Sequence, residues 1–195
     1  KYNHFFKHKM QSIYITGTGF WIPEDGLTTN DEVVNSYNTY VDNYNSENAE
    51  AISAGSLEAL APSSSEFIEK ASGIKTRYLY DKDNCLDPNR MKPRTRAELP
   101  DNTSILAEMG IESAKKAIAN AGITADDIDG IILGTSHSAR NYPAIAIEIQ
   151  EALGINGYAY DMLVGCSSTT FAISNAYSDI ASGLASTILV INPEL

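Results

Sequence analysis

From residue 103 onward, segments with helical spacing and segments of strand length follow one another in strict alternation. Residues 103–121 place Leu106, Met109, Ala114, Ala117, Ile118 and Ala121 at helical intervals before Gly122. An apolar run of strand length follows at 128–134. Pro143 then opens a second helical segment at its first position, with Ala144, Ile147 and Leu153 inward and Gly154 as its stop. A strand-like stretch at 158–164, a helix with Ile173, Ala176, Ile180 and Leu184 on its apolar side, and a strand at 187–191 complete the series. Strands reached through intervening helices pair in parallel and are covered by those helices, so the pattern specifies an α/β layered fold with a mixed, mostly parallel sheet.

Within that series Cys166 sits at a sharp corner, after an apolar strand and before a helix built of small residues. The free amides of a first helical turn and the positive end of the helix dipole favour an anion, and so favour a thiolate there. The same amides suit the oxyanion that forms when a thiolate attacks a carbonyl. A small buried hydrophobe is the other reading of such a cysteine. Cys85, in a polar stretch, is the only other cysteine; the two form neither a disulfide framework nor metal-ligand spacing, and both are expected as free thiols.

The amino-terminal half is less regular. Residues 12–17 alternate like a strand and end in a Gly17-Thr18-Gly19 turn, and residues 1–11 read as an extension. Asn30 is expected to cap a helix carrying Val33, Val34, Tyr37 and Val41, and the polar run 43–56 reads as loop or frayed helix. Ser63-Ser64-Ser65-Glu66 has the form of a capping box for a short helix ending at Gly73, and 74–80 reads as a strand. Residues 81–102 form one long polar excursion of the kind that shapes binding sites. Lys75, Arg77, Lys82, Arg90, Lys92, Arg94 and Arg96 fall in or beside it, either as a solvated loop or as a patch for an acidic or phosphate-bearing partner.

The net charge of −11 argues against a nucleic-acid binder, and no apolar run is long enough to span a bilayer. The first residues lack the pattern of a secretory signal, which makes the cytoplasm the expected location.

Linked segments carry a resemblance over residues 12–195: Ile-Thr-Gly-Thr-Gly-Phe-Trp-Ile-Pro-Glu at 15–24, Ser-Gly-Ile-Lys-Thr-Arg at 72–77, Ala-Ile-Ala-Asn-Ala-Gly-Ile at 117–123, Asp-Ile-Asp-Gly-Ile-Ile at 127–132, Tyr-Pro-Ala at 142–144, Ile-Gln-Glu-Ala-Leu-Gly-Ile at 149–155 and Asp-Met-Leu-Val-Gly-Cys-Ser-Ser at 161–168. In this order and spacing the chain resembles the amino-terminal half of the thiolase-fold condensing enzymes, most closely the β-ketoacyl-acyl-carrier-protein synthase III family. The resemblance implies that 12–195 is one half of a duplicated thiolase-like fold, with 81–102 a surface insertion. It also implies an acyltransferase in which Cys166 takes an acyl group from acyl-coenzyme A or acyl carrier protein. Malonyl-acyl carrier protein would then condense with the acyl-enzyme in fatty-acid synthesis, with no cofactor beyond the thioesters, in a homodimer.

The family draws a histidine and an asparagine for its second step from the carboxy-terminal half. His4, His8 and His137 match no such motif, so residues 1–195 alone are expected to lack turnover and, uncovered, to expose apolar surface. Phe67 stands where acetyl-coenzyme A users place a stacking tryptophan, and Ala71 where they place an arginine; Arg77 matches. Tyr142 matches a position that reaches across the dimer to close the acyl pocket, and the longer 81–102 loop resembles that of a subgroup accepting medium-chain primers. A non-catalytic binding or dimerisation module, or another cysteine condensing enzyme such as a hydroxymethylglutaryl-coenzyme A synthase relative, stands as the alternative.

Overall fold

The computed structural model describes residues 12–94, 104–138 and 140–195, which group into two compact units. Arg96, His4 and His8 lie outside the described residues.

The first unit comprises residues 12–21 and 104–195. Helix α5 (Ile105–Ala121) is capped by Ser104, whose hydroxyl accepts from the Ala107 amide at 3.1 Å, and stops at Gly122 with φ 68°. Strand β3 (Gly130–Thr135) lies between β4 (Tyr158–Leu163) and β5 (Ile188–Ile191), parallel to both. Every residue of β3 is buried, as a two-faced apolar run in a parallel sheet requires. Helix α6 (Ile145–Leu153) and α5 pack on one face, around Ile131, Leu133, Ile145 and Ile149. Helix α7 (Ser168–Ser182) packs on the other, over Ile132.

Three local expectations change in this unit. Pro143 precedes α6, and Ala144 is its cap position; the Asp161 carboxylate in β4 receives the Ile145 and Ala146 amides at 2.7 and 2.8 Å. The buried stripe of α7 is Ser168, Ala172 and Ala176, small residues that let the helix lie close to the sheet, while Ile173 and Leu184 are exposed. Residues 12–17 form no ladder among the described residues. Their path is set by α5: a Cβ on Gly17 would sit 2.4 Å from the Ala117 carbonyl oxygen and one on Gly19 2.3 Å from that of Ser113. Asn120 Nδ2 binds the Thr18 carbonyl at 2.7 Å and Lys116 Nζ binds that of Phe20 at 3.0 Å, so helix side chains take groups that a strand partner would use.

The second unit comprises residues 22–94. Strand β1 (Leu27–Thr29) pairs antiparallel with β2 (Thr76–Tyr78), and β1 runs into helix α1 (Asn30–Glu47). Thr29, not Asn30, is the cap, in a reciprocal box with Glu32. Asn30 is buried and donates instead to the Ile74 carbonyl at 2.8 Å. Helix continues to Glu47 and, after Asn48, through α2 (Ala49–Ser53), regular helix over much of the run expected as loop or frayed helix. Asn38 and Asn45 explain this: seven residues apart they share a face, and each amide pairs with both backbone groups of one residue, Ser63 and Leu60 respectively, at 2.9–3.1 Å.

Helix α3 (Ser65–Ser72) is capped by Ser64, one residue later than the expected box, and stops at Gly73 with φ 74°. The 81–94 stretch contains a further short helix, α4 (Lys82–Leu86). Three members of the basic cluster are ion-paired: Lys75 with Glu69 at 3.2 Å, Lys82 with Glu32 at 2.6 Å and Arg94 with Asp81 at 3.0 Å. Arg77 bonds the Asn30 side chain.

Asp81 anchors this stretch. Its carboxylate, 6% exposed, receives the Arg94 amide, Nε and Nη2 at 2.7–3.0 Å and Asn84 Nδ2 at 2.9 Å. The hydrogen bond to the Arg94 guanidinium, which outweighs burial, pulls its pKa from 3.8 down to about 2. A depressed carboxylate stabilises the fold fully above the ordinary value and ceases to do so as pH falls to the folded value. Asp81→Asn is therefore expected to cost about 1–2 kcal/mol at neutral pH, the low part of the charge-assisted range because the Arg94 end faces water. Urea denaturation should show the wild-type advantage intact at pH 5 and gone near pH 2.

Candidate active site

The Cys166 corner is built from β3, β4 and α7. Leu163, the last residue of β4, is in register with Thr135, the last of β3. Gly165 then takes φ 60°, where a side chain is disfavoured, and the chain turns through Gly165–Ser167 into α7. Ser168 holds the turn: its hydroxyl accepts from the Val164 amide at 3.0 Å and donates to the Thr135 carbonyl at 2.9 Å, in a residue only 3% exposed. Cys166 stands at the crest of this turn, exposed, immediately before the first turn of α7. A thiol so placed is open to solvent at the amino-terminal end of a helix.

Both cysteines are free thiols. Cys85 lies in α4, where Sγ is 3.3 Å from the Tyr80 carbonyl oxygen; burial, reinforced by the Asp81 charge, pushes its pKa up. The two should separate on alkylation. At neutral pH, iodoacetamide is expected to modify Cys166 at least about tenfold faster than Cys85, read by peptide mapping. Equal rates would contradict the contrast in environment.

The remaining candidates divide between the units. Tyr142 belongs with Cys166 in the parallel-sheet unit, in the loop between β3 and α6, with its ring 87% exposed. Phe67, on α3, and Arg77, in β2, belong to the other unit. Phe67 is 65% exposed, while Arg77 reaches the Thr29 carbonyl oxygen as well as Asn30.

The structure adds groups that the sequence did not single out. Glu194 accepts from the Ser136 amide and hydroxyl, each at 2.6 Å, and lies 4.0 Å from His137 Nδ1. Thr135 Oγ donates to the Pro193 carbonyl at 3.0 Å, so the chain leaving β5 is bound to the end of β3. Glu148, in the first turn of α6, joins Arg140 to Ser104. No pattern announces these links, since their partners are 8 to 58 residues apart and each is an ordinary polar residue in sequence.

A cleft of about 540 Å³ opens between residues 13–21, α5, α7 and β5, and Cys166 is not among its lining residues. Its α7 wall includes Ile173 and Tyr177, both 46% exposed, in keeping with the expected uncovered apolar surface. Among the described residues no group of histidine, cysteine, aspartate and glutamate could hold a metal ion, and no helix is long and apolar enough to cross a membrane.

No protein-family model matches the chain. It is 54% identical over 160 residues to a β-ketodecanoyl-acyl-carrier-protein synthase of Pseudomonas aeruginosa, an alignment covering 82% of this chain and 46% of that protein. It is 35% identical over 139 residues to a β-ketoacyl-acyl-carrier-protein synthase III of Mesorhizobium japonicum, covering 71% and 37%. Its backbone superposes on the 3-oxoacyl-acyl-carrier-protein synthase III of Aquifex aeolicus with TM-score 0.64 and 26% identity, covering 92% of this chain and 44% of that one. A variant of OleA from Xanthomonas campestris, at 16% identity and TM-score 0.66, shares the fold over 94% of this chain and 43% of its own. The chain thus spans less than half the length of these relatives. With its parallel sheet and cysteine corner, the chain has the thiolase-like fold and belongs to the β-ketoacyl-acyl-carrier-protein synthase III family of condensing enzymes.

Proposed function

We propose that the full-length protein is an acyltransferase that elongates an acyl primer by decarboxylative condensation in fatty-acid synthesis, with Cys166 as nucleophile. The observation that carries the reading is the exposed thiol at the β4–α7 turn, in a chain with these relatives. The Cys166 thiolate attacks the primer thioester carbonyl; the carbon–sulfur bond of the donor breaks, and coenzyme A or acyl carrier protein leaves as its thiolate, which takes a proton from water. Amides at the turn, including that of Cys166, stabilise the oxyanion. Malonyl-acyl carrier protein then loses carbon dioxide, its enolate carbon bonds to the acyl carbonyl, and the thiolate departs. The histidine and asparagine that assist this second step belong, in this reading, to a carboxy-terminal half.

The name of the Pseudomonas aeruginosa relative supports a medium-chain primer, since a ten-carbon β-ketoacyl product requires an octanoyl donor. Phe67, 65% exposed, offers a stacking face for an adenine, and Arg77 a cation for a phosphate of the carrier. In the same reading the enzyme works in the cytoplasm as a homodimer, with Tyr142 closing the acyl pocket of the partner subunit and acyl carrier protein as the macromolecular partner. Incubating the full-length protein with an acyl-thioester panel and malonyl-acyl carrier protein should yield the β-ketoacyl product of a medium-chain primer. Failure with every primer would overturn the proposal and favour the binding-module reading.

A further inference from the structure

Tyr142 presents a puzzle in packing terms: its ring is 87% exposed, yet the backbone around it is tied down from several sides. Arg140 Nε donates to the Pro143 carbonyl at 2.7 Å, so the guanidinium closes a loop around Asn141 and Tyr142. The Ser138 hydroxyl donates to the Arg140 carbonyl at 2.7 Å. Arg140 Nη2 is 2.8 Å from Glu148 Oε2, and the two side chains are only 30% and 21% exposed.

Glu148 carries the tether into the core. Its Oε2 accepts from the Ser104 hydroxyl at 2.7 Å and its Oε1 from the Ser104 amide at 3.3 Å, while the same hydroxyl caps α5 through Ala107. Glu148 is also in the first turn of α6, where a carboxylate complements the helix dipole. The start of α6 is itself fixed by Asp161. One carboxylate therefore joins the Tyr142 loop to the amino-terminal ends of two helices that pack on the sheet.

Such a brace brings no burial to the ring it carries. It fixes an aromatic side chain in the open, which is useful when the ring must meet a second surface in one position, because a displacement of about 1 Å at such a contact changes rates strongly. We propose that Arg140 and Glu148 are positioning residues for acyl-chain selection: they set the reach of Tyr142, and through it the length of primer that Cys166 accepts. This rests on the function proposed above.

The test is competition. The full-length protein is mixed with equimolar hexanoyl, octanoyl, decanoyl and dodecanoyl thioesters, and the ratio of acyl-enzymes is read by intact mass. Wild type should favour one length. Glu148→Gln, which keeps the shape and loses the charge, and Arg140→Lys, which cannot reach the Pro143 carbonyl and the carboxylate together, should each flatten that preference at least about threefold, in the direction given by Tyr142→Ala. Circular dichroism identifies folded variants, and either one suffices. An unchanged length ratio in a folded variant, whatever its rate or melting temperature, overturns the positioning role alone. A Tyr142→Ala protein with the wild-type ratio also overturns it. Wild type that accepts no donor overturns the parent function, and this inference with it.

Discussion

Cys166→Ala is expected to lose β-ketoacyl product formation by at least about 10³-fold, because the substitution removes the atom that bonds to the primer and leaves at the turn only serine hydroxyls, far weaker nucleophiles than a thiolate. Cys85→Ala is the internal control. Its thiol lies in the other unit, bonded to the Tyr80 carbonyl, and its loss should leave turnover within roughly twofold of wild type. The pair separates loss of the nucleophile from loss of any thiol. Product formation by Cys166→Ala near the wild-type rate would contradict the assignment, as would an equal loss in Cys85→Ala.

The second large effect is expected at Ser168, which no part of the chemistry touches. Its hydroxyl is the common partner of the Val164 amide and the Thr135 carbonyl, and the residue is 3% exposed. Ser168→Ala leaves the buried Thr135 carbonyl without this partner and hands the half-buried Val164 amide to water, which costs roughly 1–3 kcal/mol. The lost bonds are those that hold the turn on either side of Cys166, so acylation should fall further than the population of folded protein does. Denaturant titration gives the stability, and single-turnover acylation of the folded fraction gives the second effect. A variant as stable as wild type would show that the Ser168 link does not hold the corner.

Much of the parallel-sheet unit is legible in the sequence because its helices and strands have apolar periods and glycine stops. Gly122 and Gly154 end their helices where expected, each with φ 68°, and Gly183 ends α7 with φ 81°. The apolar run expected at 128–134 overlaps the central strand, Gly130–Thr135. The corner at Cys166 is legible for the same reason, as a strand pattern meeting a helix pattern.

What escapes reading depends on polar side chains acting on backbone. Asn45 falls in a run that looks like loop or frayed helix, yet the helix holds because its amide and that of Asn38 dock on Leu60 and Ser63. Residues 12–17 alternate like a strand, yet Gly17 and Gly19 let the chain settle on α5, where Asn120 and Lys116 take its neighbouring carbonyls. The Arg140–Glu148–Ser104 brace joins residues 36 apart from Arg140 to Ser104 by way of a third, and a local pattern cannot express that. The basic cluster at 75–96 reads as a solvated loop or as a patch, and charge counts do not reveal that Glu69, Glu32 and Asp81 take three of its members.

The most direct test of the central claim is the acyl-enzyme itself. The full-length protein, incubated with octanoyl-coenzyme A or octanoyl-acyl carrier protein and no malonyl donor, is examined by intact mass and then by peptide mapping. The account predicts one octanoyl adduct per chain, on the peptide bearing Cys166. An adduct on any other residue, or none from either donor, would contradict it.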